Sequence, residues 1–166
     1  MNPQISISVY IIYGQIITVN SSVDAESSFT LEQLVEDVLI DSDCSTVDTF
    51  SSQVSGAPAQ TTTKSYGYFK RPTGSSFPFE EGIMLTTGQA FPAGNNISLT
   101  RLDIENGLSG DTDLQAALGQ VGTFDATYVK FNFIPLVNTI SFRFLMASEE
   151  YDRTTECSFA DSFAFL

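Results

Sequence analysis

The feature that most constrains the fold is a pair of alternating segments in the last quarter of the chain, residues 126–135 and 138–146. In both segments β-branched and aromatic residues alternate with polar ones, so that Phe131 and Phe142 each lie between two polar neighbours. A period of two places the apolar side chains on one face of a β-strand. The pattern therefore predicts a β-hairpin, with residues 158–166 as a third strand.

The rest of the chain contains further short strand patterns separated by Gly- and Asn-rich turns. Strands are expected at residues 16–20, 47–52, 66–69 and 83–86, with a loop at 55–65 and a long irregular connection at 89–125. Many short strands and few helices are typical of all-β domains. We therefore predict one mainly β domain over residues 16–166, an antiparallel, jelly-roll-like β-sandwich.

One N-terminal amphipathic helix is predicted over residues 31–40. Thr30 and Gln33 form a capping-box pattern at its start, and the apolar residues recur at the spacing of one helical face. Its predicted role is the burial of its apolar face.

A second, short helix is predicted to start at Asp111-Thr-Asp113, with Leu114, Ala117 and Leu118 buried. Asp111 and Asp113 have two alternative interpretations, as helix-capping residues or as calcium ligands.

The N-terminal residues 1–15 are interpreted as the remnant of a secretory signal peptide, with a first β-strand in the apolar run as the alternative. The apolar run at residues 5–17 is too short to span a bilayer as a helix.

Charge and missing residue types exclude several classes of function. Twenty acidic residues against seven basic ones give a net charge of −13, which argues against nucleic acid or an anionic membrane surface as a partner. The sequence contains no His, which excludes Ser-His-Asp and Cys-His catalysis and His-ligated metal sites.

The two cysteines, Cys44 and Cys157, are too few and too far apart in sequence for a zinc site. They are either buried thiols or one long-range disulfide. In an exported protein the disulfide is favoured, and it would contribute about 4–5 kcal/mol on the chain-entropy model.

The acidic segment at residues 147–152 is the part of the chain most suited to chemistry. Neighbouring strand residues point to opposite faces, so Glu149 and Glu150 cannot by themselves flank one bond as a glycosidase pair. Either of them with Asp161 or Asp113 would form such a pair, or the four carboxylates would bind calcium. A third alternative is that one glutamate caps loop N–H groups and the other is solvated.

Several of these segments together resemble the choice-of-anchor L domain of bacterial secreted and surface proteins, common in Bacteroidetes. The resembling segments are residues 31–40, 82–88, 111–114, 125–135, 141–151 and 156–166, including the string Ala147-Ser-Glu-Glu-Tyr151. The resemblance implies an exported, extracellular or cell-surface protein with no assigned activity. It also implies that the domain continues past the last strand, so we expect this chain to be truncated at its C-terminus.

The function predicted from these observations is a non-catalytic extracellular module for adhesion or for binding a carbohydrate or protein ligand. Tyr66, Tyr68 and Tyr151 are candidate stacking platforms for that ligand. Two alternatives are a carboxylate-dependent, glycoside hydrolase-like enzyme and a structural spacer braced by calcium. No insertion into a membrane is expected, and the sequence does not predict an oligomeric state.

Overall fold

The computed structural model describes residues 16–40, 47–95, 104–134, 141–148 and 161–166. Its strands are β1 (Thr18–Val19), β2 (Val47–Gln53), β3 (Tyr66–Lys70), β4 (Glu81–Leu85) and β5 (Tyr128–Phe133). Its α-helices are α1 (Leu31–Leu34), α2 (Ala90–Asn95) and α3 (Thr112–Leu118). The strands predicted at 16–20, 47–52, 66–69 and 83–86 are confirmed, with their ends shifted by a few residues. Residues 1–15 lie outside the described part of the chain.

The central element is a three-stranded antiparallel sheet in the order β1-β3-β4. Val19 pairs with Phe69 on one side of β3, and Ile83 pairs with Tyr68 on the other. Both faces of this sheet are covered, which explains why four of the five residues of β3 are buried.

Two apolar clusters lie on the opposite faces of this sheet. The first consists of Ile17, Val19, Phe69, Phe77 and Ala90, with Ile16, Phe79 and Met84 packed against them. The second consists of Leu31, Leu34, Tyr66 and Tyr68, with Phe29, Val38, Phe50, Val54, Ile83, Leu85 and Val129 packed against them.

A second, two-stranded sheet pairs β2 with β5 in antiparallel orientation, from Val47 opposite Phe133 to Gln53 opposite Tyr128. It contributes Phe50 and Val129 to the second cluster. The predicted antiparallel, mainly β class is therefore confirmed for the described residues. The jelly-roll-like sandwich arrangement stays a prediction.

The N-terminal helix is regular only in its first turn. The capping box is confirmed: the Gln33 N–H donates to Thr30 Oγ1 at 3.1 Å, and the Thr30 N–H donates to Gln33 Oε1 at 2.9 Å. After α1 the chain widens into a π-helix over Val35–Ile40. The widened turn allows two consecutive residues, Leu34 and Val35, to be fully buried.

The predicted hairpin between residues 126–135 and 138–146 is wrong for the described residues. β5 pairs with β2 instead, and residues 141–148 and 161–166 belong to no strand. A period of two indicates an extended segment but does not say which other segment it pairs with.

The second helix begins as predicted, with Asp111 as its N-cap, but its apolar residues are not buried as expected. Leu114 is half-buried, whereas Ala117 and Leu118 are exposed. The observed local contact at the start of this seven-residue helix is the Asp111 cap on the Leu114 N–H.

Helix α2 was not predicted, because its Gly94-Asn95 pair is typical of a turn. In the structure Asn95 lies beside the edge strand β1: the Val19 N–H donates to Asn95 Oδ1 at 3.0 Å, and Asn95 Nδ2 donates to Val19 O at 2.7 Å. A Cβ atom at Gly94 would collide with the Val19 side chain. Gly94 and Asn95 therefore allow α2 to pack closely against β1.

Strand β2 contains a bulge at Thr49, which has a φ of +54°. This left-handed conformation is unfavourable for a β-branched residue and tolerated by glycine. We expect Thr49→Gly to raise the free energy of unfolding by about 1 kcal/mol, because the strain disappears. Urea denaturation measures the change. Ser51→Gly in the same strand is the control and should lower stability, and a similar loss in both variants would contradict the argument.

Candidate functional site

The structure describes two of the four residues predicted to bind calcium. Asp161 accepts a hydrogen bond from the Ser148 hydroxyl at 2.8 Å, and Asp113 is ion-paired with Lys130. Glu149 and Glu150 lie outside the described residues. Within the described ranges, no three acidic or cysteine side chains come close enough to hold a metal ion. Calcium binding and the carboxylate pair of a hydrolase both stay predictions.

Asp113 and Asp111 have structural partners. Asp111 caps α3, its Oδ1 accepting the Leu114 N–H at 2.7 Å, and its Oδ2 lies 3.9 Å from Lys130 Nζ. The hydrogen bond from Lys130 to Asp113 raises the pKa of the lysine. The capping interpretation of Asp111 is therefore confirmed. Lys130 in β5 forms ion pairs with both aspartates and so connects β5 with the start of α3.

The disulfide prediction cannot be followed in the structure, since Cys44 and Cys157 both lie outside the described residues. The same holds for Tyr151 as a stacking platform.

Tyr66 and Tyr68 are not stacking platforms, because both are buried in the second apolar cluster. Their positions face α1 rather than solvent. The Tyr68 hydroxyl donates a hydrogen bond to the Glu81 carboxylate at the end of the sheet. Burial, this hydrogen bond and the negative charge of Glu81 together raise the pKa of Tyr68, so its phenol remains a proton donor.

Lys64 is a buried cation between β2 and β3. It is 0 % exposed, its Nζ donates to Ser27 O at 2.7 Å, and it lies 4.7 Å from the centre of the Tyr66 ring. In the described part of the chain it forms no ion pair. Burial lowers its pKa to about 8. Because solvent cannot reach this amine, its arrangement suits packing rather than chemistry on a substrate.

Four exposed aromatic side chains contact one another: Phe142, Phe144, Phe163 and Phe165, which we name the phenylalanine cluster. These four side chains are between 46 % and 61 % exposed. Phe144 stacks on Phe163 with 5.3 Å between ring centres, and Phe165 lies 4.9 Å from Phe163 in an edge-to-face arrangement. Leu145, Met146 and Leu166 in the same two segments are also exposed.

The two segments that carry this cluster run side by side in opposite directions. Phe142 lies against Phe165, Phe144 lies against Phe163, and Ser148 bonds Asp161. No backbone hydrogen bond is formed by residues 141–147 or 161–166 within the described part of the chain. The cluster therefore combines exposed aromatic rings with unpaired backbone groups.

Arg143 lies between two cluster residues in the sequence and contacts a phenylalanine outside the cluster. Its guanidinium lies 5.2 Å from the centre of the Phe79 ring, and Phe79 packs on the first apolar cluster. This contact connects the segment to the body of the domain.

Sequence reasoning missed the exposure of the phenylalanine cluster. The alternation at residues 138–146 predicted a hairpin strand and the Phe-rich end of the chain a third strand, but neither pattern marked these residues as an exposed surface. The signal that marks apolar residues as strand-forming is the same for a buried strand and for a binding surface.

No helix among the described residues has the length and apolar character needed to cross a membrane.

Comparison with known proteins identifies the family. No curated protein and no solved structure matches the chain. The sequence profile of the family described as choice-of-anchor L domain matches residues 19–166, nearly the whole chain. The chain therefore belongs to the choice-of-anchor L domain family.

Proposed function

We propose that this domain is a non-catalytic binding module of a cell-surface or secreted protein, and that it binds polypeptide ligands through the phenylalanine cluster. Family membership supports the general surface association. The observation that carries the proposal is the group of four phenylalanine rings, each about half exposed to solvent. Monomeric proteins rarely expose contiguous apolar surface of this kind unless it serves an interaction.

The chemistry of the cluster favours a polypeptide over a carbohydrate. Phe165 meets both Phe144 and Phe163 edge to face, at interplanar angles of 79° and 82°, so the rings do not form one flat platform. Phenylalanine also lacks the polar group with which tyrosine and tryptophan engage a polar ligand. An apolar, uneven surface suits aliphatic and aromatic side chains of a protein ligand.

The test compares ligand classes and uses a matched pair of variants. The whole chain is incubated with an immobilised array of synthetic peptides and, separately, with dextran, chitin and pectin. We expect binding to a subset of peptides and a loss of at least about tenfold in affinity in the variant Phe144→Ser/Phe163→Ser, because central aromatic residues dominate binding energy.

The control variant is Val23→Ser/Val121→Ser, whose side chains are 88 % and 91 % exposed and lie outside the cluster. It should bind like the unmodified chain. Thermal melts of both variants check that the fold is retained. Polysaccharide binding that persists in the Phe144→Ser/Phe163→Ser variant would refute the proposal.

A further inference from the structure

We propose that the polypeptide recognised by the phenylalanine cluster is an extended, positively charged strand that pairs with the backbone of residues 141–147. This inference rests on the proposed function, because it specifies the conformation and charge of the partner at the same surface.

The backbone of residues 141–147 is open to pairing with another strand. Residues 141–147 carry N–H and C=O groups that form no hydrogen bond within the described part of the chain. Such a row of unpaired groups is a template for strand pairing with another polypeptide. In β-strand addition the main-chain hydrogen bonds supply affinity, and pockets for alternate side chains supply specificity. A carbohydrate or a helix cannot satisfy these groups in the same regular way.

The side chains of this segment have the spacing of a strand. Phe142 and Phe144 both contact the Phe165 ring, while Arg143 between them contacts Phe79. The segment therefore presents alternate apolar side chains on one face, as an extended strand does. A partner strand with apolar residues at every second position would place them against these rings.

The negative charge of the protein favours a basic partner. The chain carries a net charge of −13, and Asp161 lies at the end of the cluster where it bonds Ser148. Complementary charge accelerates association and discourages wrong partners. The negative electrostatic field of the protein favours a strand with basic ends and opposes a second copy of the same acidic chain.

The experiment uses the whole chain and four short synthetic peptides. The reference peptide alternates Val with Thr and has Lys at both ends. The second peptide has the same sequence with N-methyl groups on alternate amides, which removes main-chain donors. The third has Glu at both ends, and the fourth has the same composition with its Val residues grouped together. Isothermal titration calorimetry measures each dissociation constant at low and at physiological salt.

We expect the reference peptide to bind most tightly and each altered peptide to bind at least about tenfold more weakly. The advantage of Lys over Glu ends should shrink as salt rises, because screening reduces the interaction of exposed charges. Amide hydrogen exchange gives a second readout. The reference peptide should protect amides in residues 141–147, and the N-methylated peptide should not.

The outcomes separate this inference from the proposed function. Equal affinity for the N-methylated and reference peptides, with binding still lost in Phe144→Ser/Phe163→Ser, would overturn strand pairing and leave the binding surface in place. Peptide binding that does not depend on the cluster would overturn both. Sedimentation velocity tests whether a second copy of this chain covers the surface instead. A concentration-dependent dimer that the reference peptide does not dissociate would assign the surface to a second copy and overturn the inference.

Discussion

Replacing Asn20 with Ala is expected to lower the free energy of unfolding by about 3 kcal/mol. The Asn20 side chain is buried and forms three hydrogen bonds: Nδ2 donates to Thr61 O at 3.0 Å and to Tyr66 O at 3.2 Å, and Oδ1 accepts the Tyr68 N–H at 3.1 Å. The substitution leaves these backbone groups buried and unsatisfied. Asn20 also has a φ of +49°, which asparagine tolerates better than alanine.

A double-mutant cycle with Gly67 tests this role directly. A Cβ atom at Gly67 would lie 2.5 Å from Asn20 Oδ1, so Gly67→Ala should destabilise the fold by displacing the amide. In the double variant the space vacated by Asn20 accommodates the new methyl group. We therefore expect the double variant to lose less stability than the sum of the two single variants. Urea unfolding at neutral pH measures all four proteins.

The control for this cycle is Asn132→Ala, a substitution of an exposed asparagine in β5. It should change the free energy of unfolding by no more than about 0.5 kcal/mol. Additive losses at positions 20 and 67 would show that the two residues do not share the contact that the structure describes.

Lys64→Met is expected to raise the free energy of unfolding by about 2 kcal/mol at pH 7. The Lys64 ammonium is withdrawn from water, and among the described residues only the Ser27 carbonyl and the Tyr66 ring stabilise it. Its charged form is therefore disfavoured in the folded state. Methionine has a similar length and no charge to desolvate. Burying its side chain retains the packing at this position.

Burial of the Lys64 ammonium also makes the free energy of unfolding depend on pH, with a definite sign. The pKa of Lys64 is about 8 in the folded state and 10.5 for an unperturbed lysine. Below pH 8 both states are protonated, and the penalty for burying the charge is fully present. Between pH 8 and 10.5 the unfolded chain binds more protons, so stability should rise with pH.

At still higher pH the tyrosines reverse this trend. Burial raises the pKa of Tyr66 and of Tyr68 above the ordinary value of 10.0, so above that pH the folded state holds the extra protons and stability falls. Urea midpoints between pH 7 and 11 measure the whole profile. The rise after pH 8 should be absent in Lys64→Met and retained in Lys70→Met, whose lysine is 52 % exposed. A flat profile in the unmodified protein would show that the ammonium is not desolvated.

Features that depend on neighbouring residues were predictable from the sequence. The capping box of Thr30 and Gln33 and the N-cap of Asp111 form as expected, because each involves residues within one turn of helix. The strands at β2, β3 and β4 are also where their apolar patterns indicated. The resemblance to the choice-of-anchor L domain, carried by short motifs, is confirmed by the family match.

Features that depend on distant residues were predicted wrongly or not at all. Tyr66 and Tyr68 were candidate stacking platforms, but residues of α1 and of the β2-β5 sheet pack against them. β5 was expected to pair with the segment that follows it and instead pairs with β2, which precedes it by many residues. The buried Lys64 gave no local signal, because its burial depends on Ser27 and on the packing of the loop before β3.

The phenylalanine cluster shows the same division within one site. Sequence alternation identified residues 138–146 as extended and apolar, and that much follows from side-chain chemistry. Whether Phe142 and Phe144 are buried or exposed depends on which other segments cover them. Within the described part of the chain their ring contacts are with Phe163 and Phe165.

The sequence by itself determined the family, the antiparallel β class, the helix caps and the strongly acidic surface, because these depend on local pattern and on summed charge. The tertiary structure alone decided the pairing of β2 with β5, the burial of Tyr66 and Lys64 and the exposure of the phenylalanine cluster. The physical reason is that strand pairing and burial are set by contacts between residues far apart in the chain, and a local pattern is compatible with several such arrangements.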